Sequence, residues 1–371
     1  PVLTIRVWIR IFGAANSAAT RHRKFQHKRR RQYLCWFDSR LSDGTHRSKS
    51  RQLGLGETMN GAATTAETGN RTVNHVDSER LNEADWDSLS EKELDVMERR
   101  IASKYMNVFP WGVVAWGLTN SVVWLTLWPL VLLDVIPLWL AAPIATLNVM
   151  LAYLPSHEAQ HNIIARKGHP LRWLNELVGH VSLIPFGQPF RFLRHTHMEH
   201  HAHCNNPQLD PDYGVSTIAN NKWAFFINSL LQRQPGSNSK DSYVETLERT
   251  GKSHIMVDAI VYNLIYTTVL FSMAWSGHAI EVALLWWLPR HITITYINYY
   301  LSWMPHRPAD EQGRYKDTKA FKSRLGNIGS MGMQYHTVHH LYPTIPLSLT
   351  PAAFHELRPI LQRKGCNFRG L

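Results

Sequence analysis

An all-α integral membrane protein is the fold this sequence predicts: a four-helix transmembrane bundle with a cytoplasmic helical cap that holds a histidine-rich di-metal site. Three observations lead there. Residues 111–133 and 135–155 are apolar runs without a charged side chain. Lys and Arg collect in the segments that would flank such runs on one side only. Eight of the 21 histidines fall into three clusters, and their spacings (i, i+4 and i, i+3, i+4) align on one face of a helix.

The elements follow in chain order. Residues 1–58 hold 13 Lys and Arg against 3 Asp and Glu, which accounts for most of the net charge of +12. RHRKFQHKRRR at 21–31 reads as a basic arm or an Arg-rich targeting extension. Because the first methionine is Met59, 1–58 is set aside as a basic, disordered or non-native extension. With the charge concentrated there, the rest of the chain carries no nucleic-acid signal. Residues 59–104 read as a polar linker and a cytoplasmic helix, with Ser88 or Ser90 ahead of Glu91 and Glu93 as its start.

Each of the runs 111–133 and 135–155 suffices to cross about 30 Å of hydrocarbon at roughly 1.5 Å per residue. Buried helices of a large soluble core are the alternative, but these runs exceed the usual length of such helices. Asp134 between them makes a tight hairpin. Segments 255–275 and 279–303 form a second pair of crossings, although they carry Asp258, Glu281 and Arg290. Residues 162–195 are amphipathic and broken by Pro185, Gly187 and Pro189, which suits an interfacial segment. A loop at 234–240, a proline-punctuated stretch after Leu341, a short helix near 351–364 and a tail at 366–371 complete the chain. The stretch 156–253 and the region after 303 are rich in Lys and Arg, whereas the connections near 134 and 276–278 have none. The positive-inside rule then places both termini and the middle loop in the cytoplasm, with all three histidine clusters on that side.

The clusters are HEAQH (His157, His161), HMEHH (His197, His200, His201) and HTVHH (His336, His339, His340). His306, in WMPHRP, is a ninth candidate at the cytoplasmic end of the fourth crossing. Neutral imidazole suits iron, zinc, copper and nickel. Eight or nine imidazoles are too many for one ion and suit two; a set so rich in nitrogen favours iron over magnesium or calcium. HEAQH alone also matches H-E-x-x-H, the zinc hydrolase signature in which Glu158 would be the general base. That reading leaves two HxxHH clusters unexplained.

Outside the clusters, His180 is a candidate for supporting a ligand or for polar packing. Asp210 and Asp212 are candidates to take the second N–H of ligating imidazoles, or to cap the turn at Pro211. Arg290, in mid-span, is expected to face a polar interior, where it touches a substrate head group or marks a helix broken at Pro289. Trp286 and Trp287 either line an apolar tunnel or mark a membrane interface. Cys35, Cys204 and Cys366 lack C-x-x-C spacing and read as free thiols.

Taken together, the clusters resemble the histidine boxes of the membrane-bound fatty acid desaturase and hydroxylase superfamily, non-haem di-iron enzymes with HxxxH or HxxxxH followed by two HxxHH-type motifs. The resemblance covers 105–365. It implies two iron ions ligated by His157, His161, His197, His200, His201, His336, His339 and His340, with His306 as the extra ligand. Ser302 stands where the family usually has an asparagine, one turn before that last ligand. The resemblance also implies dioxygen as co-substrate, a membrane lipid as substrate and a separate electron donor, a ferredoxin or b-type cytochrome. In such enzymes loss of two hydrogens gives a double bond, and oxygen rebound gives an alcohol. The first box is similar to those of acyl-lipid desaturases, while HHAHCNNPQLDPDYGVST with HHLYPTIP is also similar to carotenoid ring hydroxylases. The expectation is a fatty acid (acyl-lipid) desaturase, with carotenoid or other lipid hydroxylation as the alternative.

Overall fold

Ser90 starts the first helix, α1 (Glu91–Tyr105), through a reciprocal capping box: Glu93 N–H donates to Ser90 Oγ at 3.4 Å and Ser90 N–H donates to Glu93 Oε2 at 2.9 Å. The computed structural model describes residues 89–233, 241–369 and 371. The basic segment 1–58, the polar linker after it and the loop 234–240 lie outside the described residues. Described strand is confined to β1 (Lys319–Phe321) and β2 (Asn367–Arg369), paired in parallel; nearly everything else regular is helix.

Helices α2 (Trp111–Leu132) and α3 (Leu138–Gln160) form the hairpin expected around Asp134, which takes a left-handed φ of 55° at the bend. Then come α4 (Arg172–Val181), α5 (Phe190–His203), a single turn α6 (Tyr213–Ser216), α7 (Lys222–Leu231), α8 (Asp241–Arg249) and α9 (Met256–Trp275). Three helical segments, Trp111–Leu132, Leu138–Gln160 and Ser253–Trp275, are long and apolar enough to cross a membrane. The expected fourth crossing is helical throughout yet is not one α-helix. It runs as α10 (Ala279–Val282), a π turn (Ala283–Trp287), α11 (Leu288–Ile297), a second π turn (Asn298–Trp303) and α12 (Met304–His306).

Prolines interrupt these segments, and α2 supplies what they remove. Pro155 has no N–H to give Leu151 C=O, which instead accepts the Trp116 indole N–H at 3.3 Å. Pro289 likewise frees Leu285 C=O, and the buried Trp124 indole donates there at 3.1 Å. Away from water an orphaned carbonyl costs several kcal/mol; the Trp124 indole is an internal strut, and that of Trp116 makes its bond at the exposed surface of the hairpin. Replacing Trp124 with Phe keeps most of the ring but leaves that carbonyl bare. We expect a loss of about 1–3 kcal/mol, read as a lower thermal midpoint in detergent. Trp139→Phe, at a ring that is 76 % exposed, should change little.

Helices α4 and α5 fold back on each other. A Cβ on Gly179 would stand 2.4 Å from the Phe190 ring, so only glycine permits this approach. Their connecting bend is held by the Trp286 indole N–H, which donates to Pro185 C=O at 2.8 Å. The interfacial segment expected at 162–195 is therefore a helical hairpin.

The chain ends with α13 (Gly326–Gly329), a 3-10 turn (Met333–Tyr335), α14 (His336–Leu341) and α15 (Thr350–Arg363). Leu94, Met97 and Ile101 of α1 share an apolar core with Phe354, Leu357 and Ile360 of α15. Glu98 is buried at the edge of that core. It accepts from Tyr342 Oη at 2.7 Å, Tyr315 Oη at 2.9 Å and Arg314 Nη2 at 3.4 Å. Tyr342 follows the third histidine cluster directly, so Glu98 moors α1 to it. Glu98→Ala strands these donors and should cost roughly 2–3 kcal/mol, again read as a thermal midpoint, together with weaker retention of added metal.

Candidate metal centre

Four separate elements deliver nine histidines to one buried place. His157 and His161 come from the C-terminal end of α3, and His197, His200 and His201 from α5. His306 ends α12, and His336, His339 and His340 lie along α14. The i, i+3, i+4 spacing puts each set on one helical face, and the crossing of those faces brings the rings together. His157 lies 4.7 Å, centroid to centroid, from both His197 and His339, and His200 lies 4.7 Å from His306.

Two groups emerge. His157, His161, His197 and His339 offer ligand atoms that all lie within 4.8 Å of one another, and so do His200, Cys204, His306 and His340. His201 joins the groups: its Nε2 is 3.1 Å from Nε2 of both His197 and His339, and its ring stacks on His340 at 4.1 Å. His161 and His197 bring their Nε2 atoms to 2.9 Å, and His306 and His336 theirs to 3.0 Å.

This crowding of ring nitrogens is unfavourable without a shared cation. Both nitrogens of His157, Nδ1 of His339 and Nε2 of His340 are buried without a hydrogen-bond partner, and each such atom carries a desolvation cost. Burial first, and neighbouring imidazoles second, hold His197, His201, His336, His339 and His340 well below the ordinary histidine range. They are neutral at pH 7 and keep a lone pair for a metal. The donor set is nitrogen with one thiol, which fits a transition metal and not magnesium or calcium.

His200 differs. Burial opposes its charge, but Asp210 outweighs burial by charge and hydrogen bond, aided by Asp212 and Asp317, and lifts the imidazole to about 9. Asp210 is 2.8 Å from His200 Nδ1, and it also accepts the backbone N–H of Asn205 at 2.9 Å and of Asp212 at 2.8 Å. It therefore both orients an imidazole and caps the turn at Pro211. Asp212 sits one step farther out and accepts from Tyr243 Oη at 2.7 Å.

The remaining candidates lie elsewhere. His180 packs on Phe190 at 5.0 Å, at the opposite end of α5 from the cluster, and serves packing. Arg290 lies 4.6 Å over the Tyr266 ring. Trp286 is buried against Trp124 and Tyr266, whereas Trp287 is half exposed and packs on His291, so only the first faces the interior. Ser302 is buried in the second π turn, its carbonyl accepting from Ser216 Oγ at 3.4 Å. Glu158, the base of the hydrolase alternative, is fully buried and accepts Leu347 N–H at 2.8 Å; it anchors the proline-punctuated segment. Cys204 was undervalued in the sequence. Its Sγ is 3.3 Å from His306 Nδ1, and its one available signal was its place one helical turn after His200.

Comparison with known proteins gives the family. The fatty acid desaturase family profile matches residues 133–371. An sn-1 oleoyl-lipid 12-desaturase of Synechocystis sp. is 37 % identical over 59 residues, covering 16 % of either chain. The same-named enzyme of Anabaena variabilis is 35 % identical over 78 residues, 20 % of this chain and 21 % of that one. A Delta(9) fatty acid conjugase-like enzyme of Dimorphotheca sinuata is 22 % identical over 299 residues, 70 % of this chain and 73 % of its own. The matches to the two oleoyl-lipid desaturases thus span only about a fifth of their length or less. With the profile covering well over half of the sequence and the histidines assembled as described, the chain belongs to the fatty acid desaturase family.

Proposed function

We propose that the protein is a membrane-bound, non-haem di-iron, dioxygen-dependent acyl-lipid desaturase. The observation that carries this is the convergence of nine imidazoles, seven buried and His201 and His340 half-buried, into two adjoining groups. His157, His161, His197 and His339, with His201, would hold one iron; His200, His306 and His340, with His336, would hold the other. The iron pair, when bound, supplies dioxygen activation and the power to take hydrogen from unactivated methylenes.

The chain's own residues do the rest. Asp210 fixes the His200 ring with Nε2 inward, the usual service of a carboxylate behind a ligating imidazole. Burial of the cluster excludes bulk water from the reacting groups. In balance, two hydrogens leave adjacent methylenes, and with two electrons and two protons from outside they reduce dioxygen to two waters. The electrons come from a separate donor at the basic cytoplasmic face. Four crossings, formed by α2, α3, α9 and the interrupted helix from α10 to α12, put the histidines at their cytoplasmic ends under a cap built from α1, α5, α14 and α15. Its relatives, an oleoyl-lipid desaturase and a fatty acid conjugase-like enzyme, support an acyl chain as the substrate. The bond from Leu347 N–H to Glu158 argues against H-E-x-x-H hydrolysis.

The test is metal analysis of the detergent-solubilised full-length protein, with fatty acid and pigment profiling of an expressing host. About two irons per chain and a new double bond in acyl lipids are expected. One tightly held zinc, with iron absent after anaerobic purification, would overturn the reading. Hydroxylated pigment with unchanged acyl chains would replace desaturase by hydroxylase.

A further inference from the structure

A cavity of about 470 Å³ lies beside the histidine cluster without belonging to it. Lys167, Arg172, Arg191, Arg194 and Lys252 line it, and no acidic side chain does. Behind the wall, Glu176 is shared by Arg172 and Arg194, and Asp258 lies 3.4 Å from Arg191. Five cations against these two carboxylates leave a local surplus of three positive charges. Arg172 is also held by Asn162 and by Ala165 C=O at 3.0 Å, so its guanidinium is already positioned. A concave wall of one sign focuses field on an anion, and guanidinium groups match phosphate oxygens.

Position indicates what kind of anion. Lys252 immediately precedes the segment Ser253–Trp275, one of those able to cross a membrane, and Asp258, paired with Arg191, is in the first turn of α9. The cavity thus sits where this segment would leave the hydrocarbon, at the depth of lipid phosphates. Beside it, α4 turns Trp173 (61 % exposed) and Leu177 (39 % exposed) outward as an apolar flank. Toward the metal groups the wall is thin: Gln160 and Met198 line the cavity and are the immediate chain neighbours of His161 and His197.

We propose that this cavity binds the phosphate at the head of the acyl donor. Two donors share that chemistry, a glycerophospholipid and an acyl-coenzyme A; the depth of the cavity favours the glycerophospholipid. The identity of the donor rests on the desaturase reading, whereas the anion site does not.

The test reads binding without turnover. Iron-loaded full-length protein in neutral detergent micelles is offered dioleoyl phosphatidylglycerol, oleoyl-coenzyme A or dioleoyl galactosylglycerol, and bound ligand is measured by native mass spectrometry. Phosphatidylglycerol should be retained in preference to the galactolipid. The double variant Lys167→Gln, Lys252→Gln, at two exposed side chains, should weaken retention about tenfold with iron content and thermal midpoint unchanged. Preference for oleoyl-coenzyme A, equally sensitive to the variant, would support the phosphate site and transfer it to the soluble donor. Equal retention of the galactolipid, or no effect of the variant, would overturn the proposal. Unchanged lipid retention with slower reduction by an acidic electron-donor protein would also overturn it, in favour of a donor-docking face. These outcomes are read as bound ligand at unchanged iron content, whereas the desaturase reading fails on iron content and on acyl product of the parent protein, so the two failures are distinguishable.

Discussion

Replacing His339 with alanine should lower turnover by roughly a thousandfold or more while leaving helical content intact, a loss of about 4 kcal/mol in transition-state stabilisation. His339 is the contribution of α14 to the first group: its Nε2 stands 3.1 Å from that of His201, and its ring is 4.7 Å from those of both His157 and His161. Without it that group depends on α3 and α5 alone, and nothing from the C-terminal part of the chain closes it. Because a buried imidazole becomes a cavity lined by other imidazoles, the fold should persist while metal content falls. Iron per chain and acyl product, measured on one preparation, decide the matter. Turnover within tenfold of the parent protein would remove His339 from the ligand set.

Asp210→Asn should have the second largest effect, a loss of about 10–100-fold in metal affinity, because the group that orients His200 is weakened. Proton counting gives a sharper signature. With His200 raised to about 9, its ring is charged in the metal-free protein at pH 7, and that proton must leave before Nε2 can ligate. Metal uptake at pH 7 should therefore release about one proton per chain from this residue, and affinity should fall as pH is lowered. The other cluster residues outside the spans are held neutral and release none. In Asp210→Asn the partner that retains the proton is gone, so the release should disappear even as affinity drops. A dye-monitored metal titration at constant pH reads both quantities.

Much of the architecture could be read from the chain because its signals were local. Three histidine clusters at helical spacing, an uncharged run on each side of Asp134 and a Ser90–Glu93 cap require no knowledge of distant partners. The misses share the opposite property. The π turns at Ala283–Trp287 and Asn298–Trp303 leave hydropathy unchanged, so a segment read as one crossing, with a break weighed only at Pro289, is interrupted at two other places. Glu98 is an ordinary helix glutamate until Tyr315 and Tyr342 arrive from more than 200 residues away. HEAQH is ambiguous as a string, and what places Glu158 is a backbone N–H in a loop 189 residues downstream. Trp116 and Trp124 have the composition of interface markers, but their roles depend on carbonyls freed by Pro155 and Pro289.

That last arrangement bears on how the molecule is made. The indole of Trp116 meets its acceptor 35 residues later, so the first hairpin can settle as soon as both its arms have left the ribosome. The indole of Trp124 must wait for Leu285, 161 residues on. In the proposed four-crossing topology, the first arm carries an unquenched indole donor until the segment holding Leu285 arrives with its matching carbonyl. In that topology the last segment is captured by the first, and a chain truncated before Leu285 leaves the Trp124 indole without its acceptor.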